Sequence, residues 1–239
     1  MSAAPDPPPP PRPDSASAWP FATWALHETV AVAMTPFGIA LVASIGVYAF
    51  AGGGSGWIVL LTLTQQLALG LGTWWWVRVH TGSVDALGLR RDRWTRSDVG
   101  VGIAVGLGAL LASGVVIRLT QQLTGITDVA NPLESAGSAW VLPNAVLALI
   151  LAPVCEEILF RGFLFGGLRR RVRFRWAAAI SAGLFALIHG DPVRMPGLFV
   201  SGLVLAAVYE RRHTLIAPIA THAVVNLVSV AAYLALASP

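Results

Sequence analysis

Charged side chains are scarce in this chain of 239 residues: Asp, Glu, Lys and Arg together make up 12% of it, against about 25% in soluble domains. Lysine is absent, so all sixteen basic residues are arginine. A single cysteine, Cys155, excludes an intramolecular disulfide and leaves the redox compartment open. Apolar residues make up 55% of the chain, and its mean hydropathy is +0.68. This composition predicts an integral membrane protein.

Apolar stretches long enough to form membrane helices recur along the chain. The first 26 residues are instead proline-rich and lack a secretory apolar segment, which predicts a disordered cytoplasmic tail at 1–26. Residues 27–239 are predicted to form a single, all-α, polytopic transmembrane helix bundle. Its predicted spans, about seven, lie at 29–51, 57–77, 98–119, 140–168, 176–190, 196–209 and 214–236.

Arginine clusters mark one side of the predicted bundle. They follow the second, fourth and sixth spans and account for the net charge of +4. The positive-inside rule places these three loops in the cytoplasm, with the N-terminus inside and the C-terminus outside a bacterial plasma membrane. Because topology explains the arginines, we expect no nucleic-acid partner and contact with membrane lipids instead.

Two adjacent acids, Glu156 and Glu157, interrupt the fourth apolar stretch. A carboxylate at the centre of a membrane costs about 2.5–3.5 kcal/mol on insertion scales, so intramembrane acids are functional candidates by default. Residues four apart share a helical face, which pairs Glu157 with Arg161 and leaves Glu156 without a partner on its own helix. The alternative is that both acids serve helix packing through ion pairs with arginines.

The other embedded polar groups of interest also lie in the last four spans. His189 follows Phe185 by four residues, and Asn226 follows His222 by four. Taken singly, a residue such as His189 is more often a core histidine whose ring nitrogens are hydrogen-bonded within the protein. His222 and Asn226, taken singly, are more often residues that form hydrogen bonds between helices. At about 1.5 Å per residue, however, these groups and Glu156 lie at similar depths. The fifth span is also too short to cross a bilayer, which predicts a wet chamber near His189.

Three motifs, taken together and in this order, resemble the CPBP family, also called Abi. They are Glu156-Glu157-x-x-x-Arg161, Phe185-x-x-x-His189 and His222-x-x-x-Asn226. That family comprises the type II CAAX prenyl endopeptidases and bacteriocin-processing or immunity-related membrane proteins. The resemblance covers residues 140–236, which would be the catalytic core, while residues 27–139 would be scaffold spans. It implies an intramembrane endopeptidase whose site lies below the cytoplasmic surface.

The resemblance also implies roles for individual residues. Glu156 with His189 would activate the attacking water, and His222 with Asn226 would stabilise the tetrahedral oxyanion, where hydrogen-bond donors act on developing negative charge. The residues expected to support them are Glu157, Arg161 and Phe185.

A metal is an alternative reading of the same residues. Glu156, His189 and His222 could furnish a two-histidine, one-carboxylate zinc site with water in the fourth position. No His-Glu-x-x-His helix is present to favour zinc. The direct Glu/His mechanism is therefore preferred, with no cofactor assigned and a divalent metal left open.

Two other functional classes fit the same polar groups. They could form the relay of a proton- or ion-coupled transporter, or belong to a non-catalytic membrane scaffold or immunity protein. The similar depth of these polar groups favours the protease, since the groups of a relay would be distributed across the thickness of the membrane. The partner is then a peptide or protein substrate, and a lipidated CAAX protein, a bacteriocin leader and a membrane-bound peptide are all open.

Overall fold

The computed structural model describes residues 24–51, 56–89, 94–126 and 138–237. Over these residues it is all-helical, as predicted, and contains no strand. Nearly all of the predicted disordered tail lies outside the described residues. Within the described ranges there are seven long helices: α1 (Leu26–Ala51), α2 (56–81), α3 (Arg96–Thr124), α4 (Val141–Arg169), α5 (Phe174–Leu187), α6 (Met195–Arg212) and α7 (Ile216–Ala237).

Three of these helices, α3, α4 and α7, are long and apolar enough to cross a membrane. The chain is accordingly an integral membrane protein. Helix α5 has 14 residues and is therefore about 21 Å long, which is shorter than a hydrocarbon core of about 30 Å. Helix α6 ends in Arg211 and Arg212, which bring charge into its last turn.

Helices α2 and α4 each contain π-helical segments. The segment in α2 is Ala68–Gly72, and those in α4 are Leu147–Leu151 and Ile158–Phe165. Such insertions are rare and frequently mark functional sites. The short α-helical stretch between the two π segments of α4, Ala152–Glu157, carries both adjacent acids.

Close packing between α3 and α7 depends on two glycines of α3. A Cβ atom on Gly102 would lie 2.5 Å from the Cβ of Ala220, and one on Gly106 would lie 2.8 Å from the carbonyl oxygen of Thr221. Small residues at such positions let membrane helices approach each other backbone to backbone. This contact fixes α7 at the residue immediately before His222.

The packed core begins earlier in the chain than predicted. Trp24, inside the predicted tail, is 3% exposed. Its ring stacks on Phe163 of α4, with centroids 4.7 Å apart and an angle of 15° between the planes. A large aromatic ring buries much apolar area by itself, so one tryptophan can dock a segment that has no periodic pattern. The tail boundary at residue 26 stays a prediction, since residues 1–23 lie outside the described part of the chain, but Trp24 within the predicted tail is packed.

Candidate active site

Glu157 and Arg161 form a fully buried ion pair one turn apart on α4. Arg161 Nη1 donates to Glu157 Oε1 at 2.9 Å, and both side chains are 0% exposed. The guanidinium also lies 4.5 Å from the ring centroid of Phe185, within cation–π range. Its Nη2 donates to the carbonyl oxygen of Gly202 on α6 at 3.4 Å. The ion pair that the spacing predicts is present, and it ties α4 to α5 and α6.

Glu157 also binds His222 of α7. The distance between Glu157 Oε1 and His222 Nδ1 is 2.9 Å, and that between His222 Nε2 and Glu156 Oε2 is 3.9 Å. His222 therefore lies between the two acids, with one ring nitrogen directed at each. The family resemblance implies a supporting role for Glu157 on its own helix. In the structure Glu157 also orients the imidazole of His222 on α7.

Glu156 is held by a residue that the sequence analysis missed, Gln66 of α2. Gln66 Nε2 donates to Glu156 Oε1 at 2.8 Å, and both side chains are buried. The other carboxylate oxygen, Oε2, is buried and has no hydrogen-bond partner among the described residues. A usable signal was present in the sequence: two adjacent glutamines, Gln65 and Gln66, stand inside an apolar span, where polar side chains usually bind another helix.

One cavity, of about 400 Å³, is lined by all four predicted catalytic residues. Glu156, His189, His222 and Asn226 all line it, as does Phe185. The buried ion pair of α4 lies behind this wall. Further polar residues on the wall are Thr62, Gln65, Gln66, Asn144, Arg194, Ser201, Thr221 and Ser229.

Backbone carbonyls orient the side chains of His189 and Asn226. His189 Nδ1 lies 2.7 Å from the carbonyl oxygen of Phe185. Because a carbonyl oxygen can only accept, Nδ1 carries the proton and Nε2 is left as the acceptor in the neutral ring. Asn226 Nδ2 donates to the carbonyl oxygen of Ala148 at 2.7 Å, within the π segment Leu147–Leu151. Asn226 thus keeps a second N–H for another acceptor.

Arg194, on the cavity wall, is paired with Asp191 in the loop between α5 and α6. Its Nε lies 2.5 Å from Asp191 Oδ2, and Asp191 Oδ1 accepts the backbone N–H groups of Val193 and Arg194 at 3.0 Å each. Burial alone would raise the pKa of Asp191, but these hydrogen bonds and the positive charge of Arg194 hold it below 3.8. The ionised carboxylate thereby fixes the start of α6.

The metal alternative depends on the positions of the His, Cys, Asp and Glu side chains in the described residues. No group of three His, Cys, Asp or Glu side chains in the described part of the chain converges closely enough to hold a metal ion. Glu156 and His222 approach each other to 3.9 Å, and the other ring nitrogen of His222 binds Glu157, a contact that metal-binding histidines also make with carboxylates. A divalent metal therefore stays an alternative prediction, and no chemical step is assigned to one.

Comparison with known proteins bears on the same part of the molecule. Residues 138–228 match the family described as type II CAAX prenyl endopeptidase, Rce1-like. The predicted resemblance is confirmed. The matched segment includes all three motifs, and helices α1 to α3 lie outside it.

Two curated proteins are similar to parts of the chain. One, from Bacillus subtilis (strain 168), is named "Putative membrane peptidase YdiL" and is 31% identical over 81 residues, 34% of this chain and 33% of that protein. The other, "UPF0177 protein YxdF" of Lactococcus lactis subsp. lactis (strain IL1403), is 28% identical over 114 residues, 47% of this chain and 63% of that protein. The chain thus spans less than two thirds of the length of each. None of the solved structures matches it.

Proposed function

We propose that this protein is an intramembrane endopeptidase that hydrolyses a peptide bond with a water activated by Glu156. One observation carries the proposal: Glu156 Oε2 is buried, has no partner among the described residues, and lies 3.9 Å from His222 Nε2 on a cavity wall. The match of residues 138–228 to the type II CAAX prenyl endopeptidase family supports the same reaction.

Water activation is assigned to Glu156 and His189. Glu156 Oε2 accepts a proton from water, and the resulting hydroxide bonds to the scissile carbonyl carbon to give a tetrahedral intermediate. The intermediate collapses by breaking its C–N bond as the proton passes from Glu156 to the leaving amine. His189 lines the same cavity, and its Nδ1 is held by the carbonyl of Phe185. Its Nε2 is therefore the nitrogen that can accept or return a proton on this wall.

Stabilisation of the oxyanion is assigned to His222 and Asn226. Asn226 has a second N–H beyond the one that binds Ala148. His222 uses Nδ1 on Glu157, so it can donate from Nε2 when the ring is protonated. Removing one such donor typically costs about 2.7–4 kcal/mol of transition-state stabilisation.

The orientation in the membrane belongs to the same proposal. The arginine-rich end of α4, with Arg169, Arg170 and Arg171, is placed in the cytoplasm by the positive-inside rule. The N-terminus is then cytoplasmic and the C-terminus outside. The substrate is a peptide or protein that enters from the cytoplasmic side, and membrane-bound or lipidated proteins are the classes to test.

The deciding experiment uses the purified full chain in lipid nanodiscs with a peptide library. We expect the wild type to cleave, and Glu156→Gln and His222→Ala to lose about 10²–10⁴-fold in kcat. Thr64→Val is the matched control, because the Thr64 hydroxyl binds the Leu60 carbonyl of its own helix. Cleavage that is unaffected by Glu156→Gln would refute the proposal.

A chelator arm of the experiment separates the direct mechanism from a metal-dependent one. Cleavage that survives chelation supports activation by Glu156 itself. Loss on chelation with recovery on adding zinc would replace this mechanism while keeping the endopeptidase. If no peptide is cleaved and Glu156→Gln instead lowers proton flux into vesicles, the transporter alternative holds.

A further inference from the structure

We propose that Gln66 of α2 is a positioning residue for Glu156, an inference that rests on the proposed peptidase function. The two residues are 90 positions apart in sequence, and Gln66 Nε2 donates to Glu156 Oε1 at 2.8 Å. Their exposed fractions are 6% and 5%. Gln66 lies outside the segment that matches the peptidase family, so neither the motifs nor that match assigns it a role.

The backbone of α2 is brought to Glu156 by a glycine. A Cβ atom on Gly70 would lie 2.4 Å from Cys155 Sγ and 2.9 Å from Cys155 Cα, closer than real Cβ atoms approach. Helix α2 therefore contacts α4 directly beside Glu156. Gln66 precedes Gly70 by one helical turn and so faces the same partner. The contact is built into the packing of the two helices.

The hydrogen bond selects which oxygen of Glu156 is free. With Oε1 bound to Gln66, the carboxylate cannot rotate freely, and Oε2 is the atom left opposite His222 Nε2. A carboxamide is suited to this task because it donates a hydrogen bond without adding charge. Gln66 thus orients the base and leaves the charge balance of the buried acids and Arg161 unchanged.

The neighbouring Gln65 provides a matched comparison. It has the same side chain and also lines the cavity, but no hydrogen bond joins it to Glu156 within the described residues. A variant of Gln65 therefore changes the cavity wall by the same amount without touching the carboxylate.

The kinetic test compares Gln66→Met with Gln65→Met in the full chain, using a peptide that the wild type cleaves. A hydrogen bond to a charged group contributes about 1.5–3 kcal/mol. We therefore expect Gln66→Met to lower kcat about tenfold to hundredfold. KM should stay within about twofold of the wild-type value. Gln65→Met should lose less kcat than Gln66→Met, because it leaves the hydrogen bond to Glu156 in place. The inference is overturned if Gln66→Met keeps kcat within twofold of the wild type, or if both variants lose kcat equally.

A second measurement does not depend on cleavage. The melting temperatures of Gln66→Met, Glu156→Met and the double variant form a cycle that isolates their interaction. We expect the melting temperature of the double variant to fall by about 2–4 °C less than the sum of the two single falls. The reason is that either single change already breaks the hydrogen bond between Gln66 and Glu156, so the second change has no such bond to break. Additive losses would overturn the Gln66 inference even if the wild type cleaves. A wild type without cleavage would overturn the proposed function and, with it, the positioning role.

Discussion

Glu157 Oε1 accepts hydrogen bonds from two helices at the same distance, 2.9 Å from Arg161 Nη1 on α4 and 2.9 Å from His222 Nδ1 on α7. A single oxygen atom thus joins the buried cation to the histidine that faces the cavity. Glu156 has a different environment, since its partner is the neutral Gln66 and its second oxygen is unbound among the described residues. The two adjacent acids therefore have separable tasks.

The first prediction follows from this separation. Glu157→Gln leaves the fully buried Arg161 without its counter-charge, and breaking a buried pair in this way costs about 3–5 kcal/mol. We expect a marked fall in melting temperature for Glu157→Gln and a much smaller one for Glu156→Gln, which removes no ion-pair partner on α4. Thermal unfolding in detergent measures both. Equal melting temperatures for the two variants would contradict this assignment.

The second prediction concerns the packing of α3 on α7. Gly106→Ala places a methyl group 2.8 Å from the Thr221 carbonyl oxygen, so α7 must shift and carry His222 with it. We expect a lower melting temperature and reduced cleavage. Gly108→Ala is the control, since a Cβ atom there meets nothing within 4 Å, and alanine favours a helix by about 0.5–1 kcal/mol over glycine. A Gly106→Ala variant as stable as Gly108→Ala would refute the close contact.

The third prediction is a pH dependence at the start of α6. The pKa of Asp191 lies below its ordinary value of 3.8 in the folded protein, so its ionised form stabilises the fold. That contribution is complete above the ordinary, unfolded pKa and is lost as the pH falls through the lowered folded value. Asp191→Asn should therefore melt below the wild type at pH 7, and the gap should narrow as the pH falls below about 4. A gap that is constant with pH would exclude the carboxylate as its source.

The fourth prediction tests the docking of the N-terminal segment. Trp24 is 3% exposed and Trp75 is 60% exposed. Replacing a buried aromatic residue by alanine typically costs about 3–5 kcal/mol. Trp24→Ala should lower the melting temperature strongly, whereas Trp75→Ala should have little effect in nanodiscs. Similar losses for the two variants would show that burial against Phe163 does not stabilise the protein.

Local sequence patterns predicted the features that depend on short spacing. The lengths of the apolar segments predicted the positions of the helices. The separation of four residues between Glu157 and Arg161 predicted their ion pair. The roles given to the cavity residues in catalysis stay predictions.

Contacts between distant segments could not be predicted in the same way. No spacing rule relates Gln66 to Glu156, because their approach depends on the absence of a side chain at Gly70. The π segments of α2 and α4 were also missed, since a repeat of 3.6 residues does not reveal an inserted residue. Trp24 was assigned to the tail because a single docked ring leaves no periodic signal.

The amide that reaches Glu156 from α2 has a consequence for engineering this protein. Residues 138–228 hold all three sequence motifs, yet the carboxylate is held in part by Gln66, which lies 72 positions before residue 138 (138 − 66). Grafting the segment onto the amino-terminal helices of a relative would exchange Gln66 and Gly70 for whatever the donor scaffold places there. Chimaeras should therefore include residues 56–81 together with the segment that carries the motifs. Libraries that randomise residues 56–81 would disrupt the buried contact between Gln66 and Glu156.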